Sequence, residues 1–201
     1  DPILPGTQSV ADLFRVMSLG SGGDRVPGYP LSKLWVTGRE LKNIAEILLM
    51  SSASTPGHFC YYSHLNLEYD PDGGLLNKIK KLEFTDREGN VTEISTSKDA
   101  TRLYSIVANS YMLDFVGIIK KMSFGLINVV AKDGGGVPLA DMDQAVLDMK
   151  PGETGMQEGK EWLALVRYLQ QFTTEEEDGL PVIPEEYRAA DRSLVSLSND
   201  K

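Results

Sequence analysis

One cysteine and two histidines are the only thiol and imidazole side chains in 201 residues. Cys60 cannot close an internal disulfide and has no partner for a cysteine-based zinc site, so it reads as a small apolar residue. His58 and His64 fall on one side of an extended strand, but about 20 Å apart at strand rise. They cannot share a metal without a bend, and each reads as a satisfied or surface imidazole. Positive charge is also scarce. Twenty Lys and Arg against 29 Asp and Glu leave a net charge of −9. A nucleic-acid binder needs the opposite balance to displace counterions. The short basic run Lys78-Ile-Lys-Lys81 therefore reads as the wet face of a strand. No run approaches the ~20 apolar residues that span a bilayer.

Catalytic signatures are missing as well. There is no Gly-x-Ser-x-Gly elbow. "DPDGG" (70–74) fails as a calcium loop because Lys81 stands at the twelfth place, where a bidentate acid is needed. The triple glycine 134–136 lacks the Gly-Lys-Ser/Thr of a phosphate loop and reads as a hairpin tip. With no acid–base pair or activated nucleophile, the chain by itself carries no complete catalytic site. Its opening, "DPILPGTQS", has no initiator Met and no signal-like segment, and reads as the start of a processed or trimmed piece.

What is present is an alternation of helix and strand patterns. The length suits one domain, or one plus an extension, and buries about 70% of the unfolded surface without a staple. Ser9 with Asp12, and Thr37 with Glu40, are capping boxes ahead of helical stripes. "LSKLWVT" (31–37) and "LNLEY" (65–69) alternate as half-buried strands do, and "TDREGN" joins two further strands with Gly89 at a positive-φ position. "LYSIVAN" (103–109) is almost wholly apolar, which predicts a central strand covered on both faces. A helix over 111–122 with Met112, Phe115 and Ile119 inward follows, then a strand at "INVVA". Thr154 and Gln157 read as a third capping box before a helix at about 155–172. "TTEEEDGLPVIPEEY" reads as an extended acidic arm, and the last ten or so residues as frayed.

Asn109 and Ser110 interrupt the apolar stretch "IVANSYMLDFVG" where strand becomes helix. Two readings stand side by side: the pair caps the helix, or it faces a ligand at the end of a strand.

The order "GTQSVADLFRVMSLG", "PLSKLWVTGRELKNIAEIL", "YSHLNLEYD", "LYSIVANSYMLDFVG" resembles the C-terminal domain of the 5′-nucleotidase / UDP-sugar hydrolase family over about 6–120. The resemblance implies an α+β fold, a mixed β-sheet with helices packed on it. It further implies a substrate-binding domain over 1–131 and an extension over 132–201, with a loop, a helix and an extended acidic tail. In that family a separate N-terminal metallophosphoesterase domain holds two divalent metals, and the C-terminal domain stacks the base between two aromatic rings. The implied partners are a nucleotide or nucleoside-like molecule and that N-terminal domain of the same protein. The implied location is the periplasm or the cell exterior. No cofactor is expected in this chain, and the chain alone is expected to be inactive.

Carried over residue by residue, the substrate-contacting candidates are Asn109, Ser110, Tyr111, Ser63, His64, Tyr29 and Gly117. The sequence departs from the pattern at several of them. Ser110 stands where the family has its second clamp aromatic, with Tyr111 one place late. Val116 aligns with the substrate-touching Asp, Asp114 being displaced by two. His64 replaces a Gly after the matching Ser63. Met17-Ser-Leu-Gly20 stands in the Pro-Phe-Gly region, and the first clamp aromatic has no in-register match, although Tyr29 lies nearby. A non-catalytic binding or structural module with a degenerate pocket is the alternative.

Overall fold

The computed structural model describes residues 6–55, 59–113, 127–173, 179–188 and 194–196. Helix α1 (Val10–Val16) opens on the Ser9/Asp12 box, in which each residue's side chain meets the other's backbone N–H. Strand β1 (Leu31–Thr37) buries every second residue, placing Ser32, Leu34 and Val36 inward. Thr37 and Glu40 form the second box and launch α2 (Gly38–Ser54), whose Leu41, Ile44 and Ala45 face the core. Strands β2 (Leu65–Tyr69), β3 (Ile79–Thr85), β4 (Val91–Glu93) and β5 (Leu103–Asn109) follow. Helix α3 (Glu161–Leu169) and strand β6 (Leu194–Ser196) come last.

The strands form two sheets, β1 with β5, and a four-stranded sheet in the order β4-β3-β2-β6. In the larger one, β2/β3 and β3/β4 are antiparallel while β2/β6 is parallel, so the sheet is mixed. Helix α2 packs on it, giving the expected α+β architecture. The Gly89 turn has φ of 85°, and 132–138 is the expected hairpin, with Asp133 N donating to Val137 O at 2.9 Å.

The described residues fall into two compact units. One draws on Asp1–Leu34, Val107–Asp114 and Leu139–Ala190; the other on Trp35–Ile106, Phe115–Pro138 and Asp191–Lys201. Strands β1 and β5 each contribute residues to both. The core of the first contains Leu13, Leu34, Leu113 and Val166; that of the second includes Val36, Leu67, Ile79 and Leu82.

Buried carboxylates brace the second unit. Glu46, on α2, is fully buried and accepts from the backbone N–H groups of Lys78 (3.1 Å) and Ile79 (2.8 Å), with the Lys42 ammonium at 3.2 Å. It ties the start of β3 to the helix. Glu40 accepts from Thr37, from Val130 N (3.0 Å) and from Lys132 Nζ (2.8 Å). Burial alone would raise its pKa, but these donors outweigh it and hold the carboxyl below its ordinary value.

Several sequence expectations need correction. β5 is not central among the described residues: it pairs with β1, and none of its seven residues is buried. An apolar run shows that a strand tolerates cover, not which neighbours supply it. Residues 127–131 form no strand. Ile127 is buried, but the Val130 N–H is taken by the Glu40 side chain instead of a neighbouring strand. Thr154 and Gln157 do not cap α3. Their segment folds back on itself, Met149 N donating to Gln157 O at 2.8 Å, and Lys160 is the N-cap with no side-chain cap bond. Residues 194–196 are not frayed but lie parallel to β2. The helix expected over 111–122 starts at 110 and is described to 113, with Leu113 buried and Met112 half-buried; Phe115 and Ile119 lie outside the described residues.

Glu46→Ala keeps helix propensity but strands two N–H groups, that of Ile79 buried and that of Lys78 half-buried. It should lower unfolding stability by about 2–4 kcal/mol in urea titration; a change below about 0.5 kcal/mol would contradict the bracing role.

Candidate ligand site

The loop 20–30 closes on itself through Gly28 N donating to Gly20 O at 2.9 Å and through the Ser21–Pro27 bridge. Gly20, with φ of 69°, lies under the Tyr29 ring, and a Cβ there would overlap it. A Cβ on Gly22 would likewise fall on the Glu158 carboxylate. The loop is pinned by Lys160, whose side chain is 3% exposed. Its ammonium donates to Asp24 Oδ1 at 2.7 Å and to Glu158 Oε2 at 2.6 Å, while Asp24 N donates to Glu158 Oε1 at 3.2 Å. Burial works against the charge on Lys160, yet the two carboxylates overcome it and raise the ammonium's pKa. Burial would likewise raise Asp24, and the hydrogen bond from Lys160 with the Val26 N–H brings it below its ordinary value. Trp162 of α3 completes the anchor, donating from Nε1 to Pro27 O at 3.1 Å and meeting Phe14 edge-on at 5.4 Å.

This frame presents the aromatic pair. Tyr29 and Tyr111 stack with centroids 5.4 Å apart and planes 28° from parallel. Their neighbours in sequence, Pro30 and Ser110, are joined by Ser110 N donating to Pro30 O at 2.8 Å. Both line a cleft of about 430 Å³, inside the usual small-molecule range. Ser21 and Ser32 also line it, together with Met142, Asp143, Met156 and Glu158.

Asn109 is half-buried beside this pair. Its Oδ1 accepts from Met112 N at 2.9 Å, capping the helical turn, and its Nδ2 donates to Glu161 Oε2 at 2.8 Å. Ser63 and His64 belong to the second unit and are exposed. His64 has φ of 64°, with Nδ1 2.8 Å from Thr85 O in the geometry of a donor to that carbonyl. Gly117, His58, Asp114 and Val116 lie outside the described residues. Thus the structure brings Tyr29, Asn109, Ser110 and Tyr111 into one unit and places Ser63 and His64 in the other.

Sequence reading missed Asp24, Asp143, Glu158, Lys160 and Glu161. No local pattern marks them, since Lys160 and Asp24 are 136 positions apart. Among the described residues no three His, Cys, Asp or Glu side chains are grouped to hold a metal ion, and no helix is long and apolar enough to cross a membrane.

A family model described as "5′-nucleotidase, C-terminal domain" matches residues 1–118. A search of curated proteins finds no match. Among solved structures, the crystal structure of a 5′-nucleotidase precursor from Thermus thermophilus is similar at 14% identity and a TM-score of 0.52. The match covers 96% of this chain and 28% of that one. A NAD nucleotidase from Haemophilus influenzae is similar at 17% identity and a TM-score of 0.46, covering 61% of this chain and 20% of that one. The chain thus spans under a third of either neighbour's length, and the first likeness bears on fold alone.

The lysine-centred anchor makes stability depend on pH at both ends. The contribution of Lys160, with its pKa raised, is complete below the ordinary 10.5 and is lost as pH rises beyond it. That of Asp24, with its pKa lowered, holds above the ordinary 3.8 and is lost as pH falls below it. Thermal denaturation across pH should show both losses, and Lys160→Met should remove the alkaline one; an unchanged alkaline limb in that variant would refute the assignment.

Proposed function

The chain belongs to the 5′-nucleotidase C-terminal domain family, and from that membership we propose that it is the substrate-recognition part of a phosphoester hydrolase acting on nucleotide phosphate esters. The observation that carries this reading is the stacked Tyr29–Tyr111 pair beside the cleft. At 5.4 Å the rings fill each other's faces. An intervening base needs about 3.5 Å on each side, so the rings must part by roughly 1.5–2 Å to admit one. The self-stacked pair is then the resting state of a clamp, with Tyr111 serving where the family's aromatic has shifted by one place.

Ser110 lines the space beside the clamp, and Asn109 holds the strand-to-helix junction from which Tyr111 projects. Ser63, His64 and Gly117 are the remaining proposed substrate contacts. The proposed substrate-binding domain spans residues 1–131, with 132–201 an extension packed on it; the Leu31 N–H donating to Gly159 O at 2.6 Å supports that packing, while the two compact units each draw on both stretches. Hydrolysis belongs to an N-terminal metallophosphoesterase domain of the same protein, acting in the periplasm or outside the cell. Two divalent metals held there would supply an activated water. The residues of this chain bind and orient the ester for it.

One observation favours the second reading, a non-catalytic module of the same fold. Both ends of the Asn109 amide are already bonded within the protein. Adenosine and AMP titrations followed by thermal denaturation separate the two. Binding stabilises by about 2.7 kcal/mol at ~100 times Kd, and Tyr29→Ala or Tyr111→Ala should abolish the shift. No stabilisation by either ligand would favour the non-catalytic module. The purified chain should show no phosphatase turnover with added Mg²⁺, Mn²⁺ or Zn²⁺; metal-dependent turnover would overturn the division of labour.

A further inference from the structure

Helix α3 starts without a side-chain cap. Lys160, its N-cap, carries no acceptor, and its ammonium is committed to Asp24 and Glu158. The first N–H groups of a helix have no partner inside it. That of Glu161 is given to the carbonyl of Tyr29, at 3.3 Å. The Glu161 carboxylate also reaches outward: its Oε2 accepts from Asn109 Nδ2 at 2.8 Å, across 52 positions.

One residue thus touches both sides of the aromatic pair. Tyr29 lies two positions before β1 begins and Tyr111 two positions after β5 ends, so neither ring is carried by the ladder that joins those strands. Beyond the ladder the two segments meet where Ser110 N donates to Pro30 O at 2.8 Å. A lone hydrogen bond fixes a distance but lets the segments turn about it. Glu161 adds a link to each side, and three links closed into a triangle fix the angle as well. The Asn109 amide serves in one orientation only. Its Oδ1 accepts from Met112 N at 2.9 Å, so its NH₂ must face an acceptor, and an ionised carboxylate makes the stronger bond. Holding Asn109 therefore holds the capped turn that contains Tyr111.

We propose that Glu161 is the positioning residue of the aromatic clamp: it sets the angle and separation at which Tyr29 and Tyr111 face each other, and hence how firmly a planar base is held between them. The proposal rests on the two tyrosines acting as a base clamp. It gives the segment after residue 118, where the family match ends, a part in recognition. An acid in the first turn of a helix is also favoured by the helix dipole, a purely structural role. Substitution separates the two roles. Glutamine keeps an acceptor for Asn109 but loses the charge, whereas alanine loses both.

The full chain, with ¹³C-labelled tyrosine rings assigned through Tyr29→Phe and Tyr111→Phe, reports the stack without any ligand. Wild type should show a nuclear Overhauser effect between the two rings and ring-current shifts of both. Glu161→Ala should erase that effect and move both sets of ring signals, while Glu161→Gln should keep them. Asn109→Asp should act like Glu161→Ala, because two carboxylates then face each other. Adding Glu161→Gln to Asn109→Asp should restore the stack, donor and acceptor having exchanged places. Unchanged ring signals in Glu161→Ala overturn the proposal, as does equal loss in Glu161→Gln or no restoration in the double variant. Adenosine affinity should fall roughly ten-fold in Glu161→Ala, the scale of one charge-assisted hydrogen bond. Wild-type affinity in that variant, with the stack disrupted, also counts against it. A wild-type chain whose stack responds to Glu161 as described but which binds no adenosine refutes the base clamp and leaves the placing of the rings by Glu161 standing.

Discussion

A lysine ammonium enclosed by two carboxylates is the constraint on which the ligand-facing unit depends. Burying the Lys160 ammonium against a nearly buried Glu158 is expensive, and the arrangement stands because each carboxylate meets the ammonium at 2.6–2.7 Å and Glu158 also accepts from Asp24 N. The geometry this imposes is specific. It joins the start of α3 to a glycine-rich loop more than a hundred residues earlier, and that loop carries Tyr29. An apolar patch of similar size could hold the loop down but would not orient it, because hydrophobic burial is non-directional.

The same device recurs in the other unit. Glu46 and Glu40 each receive backbone N–H groups from segments remote in sequence, so acids that inflate the net charge of −9 act as internal fasteners. This changes what the negative charge means. Some of it is solvating surface, but part of it satisfies chain segments that never reach a sheet. Residues 127–131 show the consequence: Val130 N is bonded to Glu40, and no strand forms there.

The site follows a similar logic. Asn109 is half-buried, and its amide fastens the strand end to both the following helical turn and Glu161. Capping is therefore established for Asn109, at the junction beside which Tyr111 stacks on Tyr29. The cleft beside them is lined both by residues within the family match and by residues of the segment after it. Its carboxylates, Asp143 and Glu158, both come from that later segment.

The local parts were legible in advance. The boxes at Ser9 and Thr37, the alternation of β1 and β2, and the turns at Gly89 and 132–138 depend on spacings of a few residues, which local hydrogen bonding and side-chain periodicity dictate. The ordered motifs also carried the family and its α+β class. What remained was decided only in three dimensions: the edge position of β5, the pairing of β6, the failure of the Thr154 box, the Lys160 cluster and the stack of Tyr29 on Tyr111. Apart from the Thr154 segment, whose partners lie eight to ten positions away, each sets a residue against a partner tens to more than a hundred positions away, and no short-range propensity encodes which distant donor a buried acceptor will meet.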